Sequence, residues 1–219
     1  MSASILSIFA ILFTACVAPA SVHASMQDDV DQAVTIIERF QQIPEKAIPT
    51  AVLREAKGLA ILTVTKAGFI VSGRGGTGVV VARTEKGWSG PSAVGTGGVG
   101  FGFQAGAQVS ELVIILNTPE AVNAFSKGGN VTLGGSLSVA AGPIGRDAEA
   151  SLTLGAAVYT YSRSQGLFAG VSLEGTVIAT RDEANAEYYG KPVEAKDILS
   201  GKVEPPAGAQ KLREVLSKY

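Results

Sequence analysis

Leu59-Ala60-Ile61-Leu62-Thr63-Val64, Phe69-Ile70-Val71-Ser72 and Gly78-Val79-Val80-Val81-Ala82-Arg83 follow one another with only glycine and a few polar residues between them. Short runs rich in Val, Ile and aromatic residues, bounded by glycine, are strand signals. The pattern continues over 99–109, 112–116, 131–141, 152–162 and 167–180. So many strands with turn signals between them predict one curved sheet or barrel. Along 131–139, Val131, Leu133, Leu137 and Val139 alternate with Thr132, Gly134, Ser136 and Ser138, the signature of a strand buried on one face. In the 99–109 run Gly98, Gly100 and Gly102 share one face, and Val99, Phe101, Phe103 and Ala105 the other. That leaves a strip of bare backbone, which a packed helix or a ligand such as a lipid chain must approach closely.

Helical spacing appears on either side of the β region. Val30, Ala33, Val34, Ile37 and Phe40 predict an N-terminal helix over 28–43, capped by Asp28 or Asp29 and closed before Pro44. Its polar face carries Asp31, Glu38 and a single base, Arg39, so it suits a protein core rather than an anionic membrane. Shorter helices are expected from Pro49 to a left-handed stop at Gly58, and from a Thr118 cap to Gly128. Others are expected after Asp182, over 195–200, and through Leu212, Val215 and Leu216. The fold class is therefore α+β, a glycine-rich, mainly antiparallel curved sheet or barrel flanked by short helices. Sheet order stays open, because glycine-rich strands fix register weakly.

The chain has 219 residues, enough for one sizeable core. With 18 basic and 19 acidic residues it has no overall field to draw in nucleic acid, so any anionic partner must be met locally. Residues 1–24 read as a signal peptide, with an apolar run over 5–17 and Val22-His23-Ala24 before Ser25. The run of about a dozen residues is shorter than the ~20 a membrane-spanning helix needs. Phe13-Thr14-Ala15-Cys16 also approximates a lipobox, which would anchor the chain through Cys16. Export, to a periplasm or as a secreted protein, follows, with a single domain over 25–219. That domain holds no His or Cys, so it lacks the parts of a His-assisted nucleophile and of the commonest zinc sites. A non-enzymatic binding protein with no cofactor and no metal is expected.

Two stretches, 73–78 and 95–100, match the Gly-x-Gly-x-x-Gly spacing of a dinucleotide loop. Both run on into β-like sequence instead of opening a helix, and neither ends in Gly-Lys-Ser/Thr. The carboxylate pairs Asp182/Glu183 and Asp147/Glu149 read as turn or cap residues, and Glu174 as a strand-edge partner of Arg163 or Arg181. Lys57, Lys66, Arg74, Lys127, Arg146 and Arg163 stand beside glycine-rich turns. Exposed N–H groups of such turns form anion nests, and a neighbouring Arg adds a bidentate fork. Each is alternatively a solvated turn charge.

Longer strings carry a resemblance. AKGLAILTVTKAGFIVSGRGGTGVVVAR at 56–83, WSGPSA at 88–93, FSKGGNVTLGG at 125–135, AAGPIGR at 140–146 and YTYSRSQGLFAGVSLEG at 159–175 resemble the SYLF lipid-binding domain family. The resemblance implies binding of membrane phospholipids, phosphoinositides or phosphatidic acid in particular, without enzyme activity; in eukaryotic members it also implies a link to actin. It associates lipid binding with a basic N-terminal segment, where this chain is acidic over 28–43. Read with the leader, it implies an exported, bacterial member at the cell envelope. Arg74, Lys127, Arg146 and Arg163 would contact an anionic phospholipid membrane surface. The other reading is a structural module whose glycine-lined strand face packs on an envelope protein partner.

Overall fold

The structure, a computed structural model, describes residues 25–42, 47–134, 137–141, 156–166 and 176–219. Helix α1 (Met26–Gln41) opens on a capping box: Ser25 Oγ accepts from Asp28 N at 3.2 Å, and Ser25 N donates to Asp28 Oδ2 at 3.0 Å. The cap is thus Ser25 rather than Asp28 or Asp29, and Asp29 is released to turn inward. Helix α2 (Thr50–Glu55) leads into the sheet. Gly58 is its first strand residue and not a left-handed helix stop.

Three of the expected strands are one, β1 (Gly58–Thr84), and two more merge into β3 (Ser92–Leu116), with the short β2 (Gly87–Trp88) between them. Strands β1 and β3 pair antiparallel from Gly58↔Leu116 to Val80↔Ser92, with one irregularity at Phe69/Val71. The glycines read as turns lie inside this ribbon, because the ribbon doubles back across itself. A Cβ added to Gly76 would fall on the Thr63 carbonyl oxygen and lie 2.8 Å from Val64 Cα. One added to Gly78 would fall on the Ile61 carbonyl oxygen and lie 2.7 Å from Leu62 Cα. The two halves of β1 therefore cross backbone to backbone, a contact open only to glycine.

The remaining strands extend the curl. Strand β6 (Val158–Gly166) pairs antiparallel with 108–116 of β3, and β5 (Val139–Ala141) runs parallel to β6. Strand β7 (Val177–Thr180) joins the opposite end of β3 at Val94↔Thr180 and holds β4 (Asn130–Thr132). The expected single strand over 131–141 is divided, with Gly134 at φ +80° in the gap. The result is a strongly curled mixed sheet, a half-barrel.

Both faces of the ribbon are covered, which is why its strands read as nearly continuous apolar runs. Leu59, Ile61, Val79, Val81, Val113 and Ile115 pack against α1, α2 and the last helix, α6 (Gln210–Leu216). Their neighbours Ala60, Leu62, Val80, Leu112, Ile114 and Leu116 form the other core. It is closed by α3 (Pro119–Ser126), capped by Thr118 as expected, and by α5 (Ala195–Leu199). Gln27 at the start of α1 donates from Nε2 to Gly208 O at 3.3 Å, in the turn that precedes α6.

Helix α4 (Asp182–Tyr189) is fastened through Asn185, which is fully buried. Its Oδ1 accepts from Ala93 N at 2.7 Å and its Nδ2 donates to Ser92 Oγ at 3.2 Å. Asn185→Leu keeps the branching of the side chain but orphans the Ala93 N–H, so it should cost about 2 kcal/mol. A urea melt measures this, and an unchanged midpoint would mean that solvent reaches the Ala93 amide.

Candidate functional site

Arg74 lies in β1 opposite Gly98, and its Nε stands 2.9 Å from where a Gly98 Cβ would be. At Gly98 the bare backbone strip is thus covered by a side chain of the neighbouring strand, and not by a helix. Next in register is Val99, at 78% exposure the most open large apolar side chain among the described residues. Lys127 ends α3 and is exposed, followed by Gly128 and Gly129 at φ +69° and +85°. It lines a cleft of about 670 Å³ with Lys191, Asp182, Glu194 and Asp197, where carboxylates outnumber amines. Arg163 sits in β6 directly opposite Glu111. Arg146 lies outside the described residues, as do Cys16, Asp147, Glu149 and Glu174. The candidates are not brought together: Arg74 and Arg163 face β3 at distant registers, and Lys127 belongs to another element.

The two dinucleotide-like strings pair with each other inside the ribbon, at Gly75↔Gly97 and Thr77↔Gly95. Neither opens a helix, so no helix N-terminus is offered to a pyrophosphate.

Sequence reading missed two buried carboxylates. Asp29 accepts from Thr77 Oγ1 at 2.6 Å and from Arg181 Nη1 at 2.9 Å. Burial pushes its carboxyl above the ordinary value, against the opposing pull of Thr77 and Arg181. Glu111 is paired with Arg39 of α1, while its Oε2 is buried without a hydrogen-bond partner among the described residues. A lone acid at 111, next to the apolar run 112–116, was the available signal. Both carboxylates tie α1 to the sheet, through Asp29 and Arg39, roughly 15 Å apart along the helix by its rise. A glycosidase pair stands about 5–9.5 Å apart.

Arg83 also has a fixed setting. Its Nε donates to Ala56 O at 3.1 Å and its Nη2 to Leu53 O at 3.0 Å, which caps the end of α2. Its guanidinium lies 4.4 Å from the centre of a Trp88 ring. Trp88 in turn donates to Leu216 O at 3.0 Å, and Arg213 donates to Trp88 O at 2.8 Å.

A half-barrel crossed by its own glycine-bearing strand, with helices on both faces, defines the class: an α+β domain built on a curled, glycine-rich ribbon. A family model described as "Ysc84: Las17-binding protein actin regulator" matches residues 97–219, and the chain belongs to this Ysc84/SYLF family. It is 50% identical over 206 residues to human SH3 domain-containing YSC84-like protein 1, covering 90% of this chain and 60% of that protein. The bovine protein of the same name is 49% identical over the same coverage. LAS seventeen-binding protein 3 of Saccharomyces cerevisiae is 48% identical over 205 residues, 89% of this chain and 45% of its own length. The chain thus spans 60% or less of the length of these three relatives.

These relatives correct the expected location. They are eukaryotic and the matching family is described as an actin regulator, a task for the compartment that holds actin filaments. Export to a periplasm or by secretion, with anchoring through Cys16, does not stand, and a bacterial source loses the argument it rested on. The reason is physical: an apolar run of about a dozen residues is also what a buried or interfacial segment looks like. The run over 5–17 has no Lys or Arg near Met1 to single out a leader.

Proposed function

We propose that the chain is a non-enzymatic binding domain that contacts anionic phospholipid head groups of the phosphoinositide or phosphatidic acid type. Arg74, Lys127 and Arg163 make the contacts, together with Arg146. One observation carries the reading: Arg74, Lys127 and Arg163 are all at least partly exposed, and none is held in an ion pair among the described residues.

Cosedimentation with phosphatidylcholine vesicles, with and without phosphatidic acid, tests it. Each basic contact at such a surface is worth about 1 kcal/mol. The triple variant Arg74→Ala/Lys127→Ala/Arg163→Ala should therefore bind the anionic vesicles on the order of 100-fold more weakly. Equal binding by variant and parent removes these residues from the site.

The wording of the family description, with the yeast relative's name, favours a second reading, a protein-interaction module without head-group specificity. Salt separates the two. Head-group binding fades as the screening length shrinks from about 8 Å at physiological salt, while an apolar protein interface persists.

A further inference from the structure

We propose that the cleft between the start of β1, α3 and α5 is a binding site for a single phosphate-like anion, held by Lys57, Arg83 and Lys196. The cleft measures about 330 Å³, and Asn123 adds a neutral donor to its wall, while the Ser126 and Ser200 hydroxyls donate to Val122 O and Asp197 O. No carboxylate lines it. Two larger clefts among the described residues mix the signs instead: Lys127 with Asp182 in one, Arg213 with Glu204 in the other. None of the three cations is in an ion pair among the described residues.

Their arrangement fits one compact anion of high charge. Two flexible ammonium groups, on Lys57 and Lys196, flank a guanidinium fixed in place by Ala56 O, Leu53 O and the Trp88 ring. Arg83 spends Nε and Nη2 on those carbonyls, and its Nη1 has no protein acceptor among the described residues. A preorganised fork with two mobile point charges is a phosphate-binding set. The volume lies at the small end of ligand clefts, roughly 300–1,000 Å³. It has room for one phosphate, free or borne on a lipid head group. The site shares no residue with Arg74, Lys127 and Arg163, and stands or falls without them.

Trp88 is the chain's single tryptophan, lines a neighbouring cleft and lies against Arg83, so its emission reads a change at that guanidinium. Titrating inorganic phosphate into the full chain, at ionic strength held constant with chloride, should give a saturable heat by calorimetry and a matching change in Trp88 emission. Lys57→Ala/Lys196→Ala should weaken both by roughly tenfold or more and leave the urea midpoint in place, since both lysines are exposed. The triple variant described above should titrate like the parent. Absence of saturable heat at millimolar phosphate overturns the site. So does heat without a Trp88 response, or a double variant that titrates like the parent. With phosphatidic acid vesicles as a second arm, a double variant that loses phosphate and vesicles together identifies a lipid-borne phosphate. One that loses phosphate and keeps vesicles identifies a free one.

Discussion

Alanine at Gly78 should lower the stability of the chain by roughly 3 kcal/mol or more, while alanine at Gly75 should leave it unchanged or raise it by up to about 1 kcal/mol. The two positions lie in the same strand and differ in what faces them. At Gly78 a methyl group meets the Ile61 carbonyl oxygen and Leu62 Cα, backbone atoms that no rotamer change can move aside. At Gly75 there is nothing within 4 Å, and its φ lies in the range open to any residue, so alanine only reduces the freedom of the unfolded chain. Gly76 should behave like Gly78, and Gly73 like Gly75. Against a total stability of about 5–15 kcal/mol the Gly78 variant is severely compromised. Urea melts of the four alanine variants give the answer. Equal midpoints would mean that the two halves of β1 do not cross in contact.

Arg181→Ala should cost about 3 kcal/mol, because it leaves the buried Asp29 carboxylate with Thr77 as its only partner. The loss should depend on pH, and its sign follows from the direction in which Asp29 is displaced. An acid whose folded value is raised stabilises the fold below its unfolded value and ceases to do so as pH climbs through the folded one. Burial already raises Asp29, and removal of Arg181 raises it further, since the Arg181 charge pulls it down. The gap between parent and variant should therefore be widest near neutrality and close as pH falls toward the ordinary carboxyl value of 3.8. Paired urea melts at pH 5 and pH 7.5 measure it. A gap of equal size at both would show that Arg181 acts by packing over Gly95, whose added Cβ would lie 3.2 Å from Arg181 Cδ.

The sheet class and most helices were legible in the sequence because their signals are local. Thr118, Pro119 and Gly128 mark the start and end of α3 within a dozen residues. The capping box at Ser25 is equally local, although helical spacing alone points to Asp28 or Asp29 as the cap and not to Asp28 as its partner. The continuity of β1 was not legible. Glycine at 76 and 78 looks like a turn residue, yet its need for a bare Cα is imposed by carbonyls at 61 and 63 that only the folded ribbon brings there. Gly134 erred the other way, read as strand interior although its φ is +80°. The cations followed the same logic. Lys57 was visible beside Gly58, whereas Arg83 and Lys196 join it only through the meeting of β1 with α5.

Two of the contacts that fasten α1 run to the far end of the chain, Asp29 to Arg181 and Gln27 to Gly208, separations of 152 and 181 residues, while its ties to Thr77 and Glu111 lie nearer. On a ribosome this helix emerges well before those segments. At about 5–20 residues per second its seating waits on the order of 10–40 s for them. Until then its oily stripe is only partly covered, by the β1–β3 ribbon, so the first helix of the described residues is among the last to complete its packing. A nascent chain stalled before Arg181 should accordingly be a client for chaperones.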